Sequence, residues 1–283
     1  MKKLPVGIYE KALPFNVDWP ERLAKAKGVG FDFVEISIDE SDERLSRLDW
    51  PAKERANLRA AIADSGVPII TMCLSGHRKY PLGSADAATR QRAFDIMEKA
   101  VDFAVDIGIR VIQLAGYYVY YEPHTEHSLP RYQKGLAQGL EWASKAGVML
   151  ALENVDGNDV DSVTQAMYFF NVFNSPWFQL YPDIGNLSEH GLDVCAELEL
   201  GRGHMVGVHV KDTLPGEPRR VPFGQGTVPF VEAFRKLAEM NFIGPVLLEM
   251  WNDDSPDSLR IVQESRQWVM TRMEEGGLIS ESL

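Results

Sequence analysis

A chain of 283 residues, 45% hydrophobic and 25% charged, carries enough apolar side chain for a large core and enough charge for a wetted surface. Its formal charge of −12 excludes the basic stripe that nucleic-acid phosphates demand, yet leaves room for a local cluster of cations around a small phosphorylated ligand. No apolar run approaches the roughly 18 residues of a membrane span. The start, Met1-Lys2-Lys3-Leu4-Pro5, leads into a strand-like run without a secretory apolar region. Two cysteines, Cys73 and Cys195, are too few for a disulfide framework and read as reduced thiols of a cytoplasmic protein.

Along the chain one unit repeats: a short β-rich run, a polar loop, an amphipathic helix. The strand-like runs are Val6–Ile8, Phe33–Ile38, Ile69–Cys73, Val111–Ala115, Met149–Glu153, Gln179–Pro182, Gly207–Lys211 and Pro245–Met250. Most are nearly continuously apolar, as strands covered on both faces should be. Helical patterns follow them at Trp19–Lys27, Lys53–Ser65, Ala87–Ile107, Glu126–Ala146, Asp161–Asn171, Leu192–Leu200, Pro229–Met240 and Pro256–Glu275. Gly28, Gly66, Gly108 and Gly147 suit left-handed helix ends. Pro51, Pro229 and Pro256 suit first helical turns. Eight such pairs with no break in composition predict an α/β fold, a single-domain (β/α)8 TIM barrel over residues 1–283; alternation alone leaves an open doubly wound sheet as the alternative.

The chemistry concentrates in the second half. Glu153, Asp183, His209 and Glu249 each stand at or near the end of an otherwise apolar run, where a charge is costly unless it is paired or bound to a cation. In a barrel, the C-terminal ends of strands five to eight face one pocket. Three carboxylates and one imidazole there suit one divalent ion, Zn²⁺, Mn²⁺ or Mg²⁺, with positions left for substrate.

The chain resembles the L-ribulose-5-phosphate / L-xylulose-5-phosphate 3-epimerases of the xylose-isomerase-like barrel superfamily. The resemblance runs through Gly7-Ile8-Tyr9-Glu10-Lys11-Ala12-Leu13-Pro14, Gly30-Phe31-Asp32-Phe33-Val34-Glu35 and Arg44-Leu45-Ser46-Arg47-Leu48-Asp49-Trp50. It continues through Pro176-Trp177-Phe178-Gln179-Leu180-Tyr181-Pro182-Asp183-Ile184-Gly185-Asn186, Val208-His209-Val210-Lys211-Asp212-Thr213 and Val221-Pro222-Phe223-Gly224. It implies inversion at C3 of a 5-phosphorylated ketopentose through a cis-enediolate, with Glu153 and Glu249 exchanging the proton on opposite faces. It also implies a place in pentose or L-ascorbate utilisation.

For the phosphate, Lys11, the His77-Arg78-Lys79 run, Lys211 and Arg219-Arg220 fall in or beside strand-to-helix loops, and the backbone of Gly224-Gln225-Gly226 leads into a helix start. Asp156 and Asn186 lie close to the ligands, for sugar hydroxyls or ligand orientation. Tyr117, Tyr118, Tyr120 and Tyr121 could wall the pocket or pack under a loop, and Trp251 could cover it. Asn186 departs from related free-ketose epimerases, which tend to carry histidine there. A small phosphorylated ketose is the expected partner, with no nucleic acid and no membrane, and a homodimer is the default assembly. The rivals are a phosphate-independent ketose isomerase or inosose dehydratase of the same superfamily, a glycosidase, a DNA-repair phosphodiesterase and a non-catalytic sugar-phosphate-binding barrel.

Overall fold

Apolar runs covered on both faces become parallel strands, and here they close into a ring. The computed structural model describes residues 4–253 and 255–280; residues 1–3, and with them the reading of the N-terminal start, lie outside the described residues, as do 254 and 281–283. The barrel strands are β1 (Val6–Tyr9), β2 (Phe33–Ile38), β3 (Ile69–Leu74), β4 (Val111–Ala115), β5 (Met149–Glu153), β6 (Phe178–Leu180), β7 (Val208–Val210) and β10 (Val246–Leu248). They pair in the order β6-β5-β4-β3-β2-β1-β10-β7. Parallel bridges Leu180↔Met205 and Asp183↔His209 join the two ends, so the fold is a closed barrel and not an open sheet.

The helices form the outer layer. They are α1 (Trp19–Val29), the short α2 (Asp42–Leu45), α3 (Ala52–Ser65), α4 (Ala87–Ile107), α5 (Ser128–Ala146), α6 (Val163–Phe173), α7 (Ile184–Glu189), α8 (Val194–Leu200), α9 (Phe230–Glu239) and α10 (Ser258–Glu275). None is long and apolar enough to cross a membrane among the described residues. Asp18 and Asp86 cap α1 and α4 by accepting from Glu21 N and Thr89 N.

Local punctuation departs from expectation in three places. Gly28 lies inside α1, and the left-handed end residue is Gly30 (φ 95°), because the helix runs two residues further than its apolar period. Pro51 and Pro229 are the N-cap residues and Pro256 precedes one, so each sits just outside the first turn. Between β7 and α9 the chain folds back as an antiparallel hairpin, β8 (Asp212–Leu214) with β9 (Glu217–Val221). That hairpin and α7 have no counterpart among the expected elements, and both border the site.

Candidate metal centre and adjoining cavity

Strand ends bring the four ionisable residues together. Glu153 closes β5 opposite Ala115, and His209 lies in β7 opposite Leu247. Glu249 follows β10, its N–H donating to Val210 O at 2.9 Å. Asp183 caps α7, with Oδ1 accepting from Gly185 N at 2.7 Å and Asn186 N at 3.2 Å. One ligand atom from each of the four lies within 4.8 Å of the others. Asp183 is 0% and His209 1% exposed, so little solvent screens this charge.

The four groups do not share one electrostatic environment. Burial pushes Asp183 up to about 7 and also raises Glu153. Glu249 is buried too, but the cations Lys211 and His209 outweigh that effect and hold its carboxyl well below the usual range. Burial opposes an imidazolium at His209, yet the carboxylates of Glu35 and Glu153 outweigh it and raise His209 well above its ordinary value.

The remaining predicted residues divide. Lys211 joins the charged cluster: its Nζ lies 2.7 Å from Asp183 Oδ2 and 2.9 Å from Glu249 Oε2. Asn186 donates from Nδ2 to Asn154 O at 2.8 Å, and Asn154 in turn brackets the backbone of Asp183, so Asn186 braces the ends of β5 and β6. His77 points away from the barrel mouth, its Nε2 3.1 Å from Ala93 O on α4, and burial pulls it down to about 4. Gly224 and Gly226 do turn their N–H groups inward, but toward Asp212 Oδ2 at 2.8 and 2.9 Å, so these donors are already taken. A Cβ at Gly226 would sit 2.1 Å from Asp212 Oδ1, which is why the loop needs glycine there.

Beside the four-residue cluster opens a cavity of about 290 Å³. Glu153 and Glu249 stand on its wall together with Tyr9, Cys73 and Trp251; Lys11, Arg44, Arg78, Arg219 and Arg220 line it as well. Some of these cations are spoken for: Lys11 lies 2.5 Å from Asp39, and Arg219 2.6 Å from Asp156, which also accepts from Tyr117 Oη. Arg44 lies near Asp39 and Glu10, and Glu10 holds Arg47 through two nitrogens at 2.7 Å. Arg78 and Arg220 have no carboxylate within ion-pair distance among the described residues. Arg78 instead stacks over Tyr117 and Tyr120, 5.3 and 5.4 Å from their centroids, so these tyrosines pack behind a residue of the cavity wall and are not among its lining residues. Arg220 is a non-glycine residue with φ 65°, on the hairpin that the sequence did not announce. Trp251 meets the Tyr9 ring edge-on at 6.5 Å and covers one side.

Residues 23–272 match the family described as xylose isomerase-like TIM barrel. The L-ribulose-5-phosphate 3-epimerase UlaE of Escherichia coli O1:K1 is 50% identical over 278 residues, 98% of each chain, and that of Escherichia coli O157:H7 is 50% identical over the same span. Among solved structures, an L-ribulose 3-epimerase superposes with a TM-score of 0.79 at 21% identity over 97% of this chain and 96% of that one. A D-allulose 3-epimerase from Methylomonas sp. gives 0.80 at 16% identity, covering 96% and 98%, a likeness of fold alone. By the matched barrel family and by half of its residues shared along nearly the whole length with those curated enzymes, the chain belongs to the xylose isomerase-like TIM-barrel family and is an isomerase of its epimerase branch.

Proposed function

We propose that the protein is a metal-dependent 3-epimerase interconverting L-xylulose 5-phosphate and L-ribulose 5-phosphate through a cis-enediolate. The observation that carries this reading is one cavity with Glu153 and Glu249 at the buried cluster and the unpaired Arg78 and Arg220 also on its wall. The curated relatives' name, L-ribulose-5-phosphate 3-epimerase, supports the choice of ketose.

Glu153, Asp183, His209 and Glu249 would hold the ion, since three carboxylates and an imidazole within 4.8 Å fit Zn²⁺, Mn²⁺ or Mg²⁺. When bound, the ion supplies a Lewis acid that polarises the C2 carbonyl and so acidifies C3. Inversion then needs one carboxylate to take the C3 proton and one carboxylic acid to return a proton to the opposite face. Glu249, held ionised by Lys211 and His209, suits the first role in one direction; Glu153, whose pKa burial raises, suits the second. The roles exchange in the reverse direction. Arg78 and Arg220 offer two positive charges for a phosphate dianion, and Trp251 with Tyr9 keeps water from the reacting carbons.

Protein freed of metal by a chelator is expected to be inactive and to regain turnover with a divalent ion. Free L-ribulose is expected to react with kcat/KM about 100-fold or more below that of L-ribulose 5-phosphate, as loss of charge-assisted phosphate contacts implies. Full activity after chelation, or equal use of the two sugars, contradicts the corresponding half of the proposal.

Metal uptake also carries a sign in pH. His209, raised above its ordinary value, and Asp183, at about 7, both hold protons near neutrality that a ligand must lose. Affinity for Mn²⁺ should therefore rise between pH 6 and 8 by up to roughly tenfold per unit for each proton released. Calorimetric titration across that range checks it, and a flat profile contradicts it.

A further inference from the structure

On β2, Glu35 sits in the fully buried run Phe33–Ile38, the only charge among five uncharged neighbours. It is 0% exposed, no cation lies within ion-pair distance of it apart from His209, and its Oε2 has no hydrogen-bond partner among the described residues. Its Oε1 reaches across the barrel interior to His209 Nε2 at 3.1 Å. The other ring nitrogen, Nδ1, faces the cluster, 2.8 Å from Glu153 Oε1 and 4.0 Å from Glu249 Oε2. Tyr181 packs edge-on against the same ring with centroids 4.6 Å apart, which fixes its plane.

Both ring nitrogens face carboxylates, which only accept hydrogen bonds. With Glu153 and Nδ1 both turned to the ion, Glu35 is the acceptor left for the hydrogen of neutral His209, on Nε2. We infer that Glu35 is a positioning residue: it holds the proton of His209 on Nε2, leaves the Nδ1 lone pair directed at the ion, and makes that nitrogen a stronger donor. The inference rests on the metal centre proposed above. Glu35 touches neither substrate nor ion; it acts through His209. Without it, neutral His209 could place its hydrogen on Nδ1 and present an N–H where a lone pair is required.

The test is a double-mutant cycle on metal binding, read by calorimetry with Mn²⁺ alone. Glu35→Gln, which keeps shape but not charge, is expected to weaken Mn²⁺ binding about 10- to 100-fold relative to the unaltered protein. In a His209→Asn background the same change is expected to alter affinity less than about twofold, because the route through the imidazole is gone. Unchanged affinity in Glu35→Gln, or an equal loss in both backgrounds, overturns the inference while leaving the metal centre intact. Failure of the unaltered protein to bind Mn²⁺ would instead remove the metal centre itself. Should Glu35→Gln not fold, long-range ¹H–¹⁵N correlations of the unaltered Zn²⁺-loaded protein decide: a hydrogen on His209 Nε2 supports the role, and one on Nδ1 overturns it.

Discussion

Glu249→Gln is expected to lower kcat for epimerisation by about 10³-fold or more, within and beyond the range that removal of a general acid or base produces. The amide keeps the volume and one oxygen, so some metal affinity survives through Glu153, Asp183 and His209. What it loses is a carboxylate that the cations Lys211 and His209 hold ionised. The change also releases Lys211 Nζ from its contact at 2.9 Å, leaving Asp183 at 2.7 Å as its partner. Rates measured at saturating metal separate loss of proton transfer from loss of the ion. A variant within tenfold of normal under those conditions removes Glu249 from the proton-transfer pair.

Arg78→Met is expected to raise KM for the phosphorylated ketose about 10- to 100-fold with a smaller effect on kcat, the range of one charge-assisted contact. The phosphate lies away from C3 and is bound equally in ground and transition states, so its loss is a loss of uniform binding. Arg78 is the strongest choice because its charge has no carboxylate partner among the described residues, whereas Lys11 and Arg219 are neutralised by Asp39 and Asp156. Methionine keeps the packing against Tyr117 and Tyr120. An unchanged KM, with Mn²⁺ binding also unchanged, places the phosphate elsewhere.

The barrel and its charged cluster were legible because both depend on strands covered on two faces. A continuous apolar run such as Met149–Leu152 announces a buried strand, and a charge at its end announces a reason for paying desolvation. The same signal was present at Glu35, inside Phe33–Ile38, but it lies mid-strand and on the opposite half of the barrel from the ligand set. Closure was not legible, since the bridges Leu180↔Met205 and Asp183↔His209 join residues that no local pattern links.

Loop side chains were the weakest point, for a physical reason. A loop position fixes where a backbone passes but not which way a side chain turns. His77 and Arg78 are neighbours in one 3₁₀ turn, yet the first packs on α4 and the second enters the cavity. Gly224 and Gly226 were read as phosphate donors from spacing alone; Asp212, two strands' length earlier in the chain, had the prior claim on their N–H groups. Lys211 was read for the phosphate from its loop position, and that position said nothing of the carboxylates of Asp183 and Glu249, 2.7 and 2.9 Å from its ammonium.

The central claim is reversible removal of the C3 proton from a phosphorylated ketopentose inside the Glu153–Glu249 cavity. Incubating metal-loaded protein with L-xylulose 5-phosphate in deuterated water and following C3 by NMR tests it most directly. The account predicts deuterium at C3 together with the appearance of L-ribulose 5-phosphate, with the appearance of the epimer suppressed in Glu249→Gln. Epimerisation with complete retention of the original C3 hydrogen, or no reaction with the phosphorylated sugar alongside turnover of a free ketose, would contradict it.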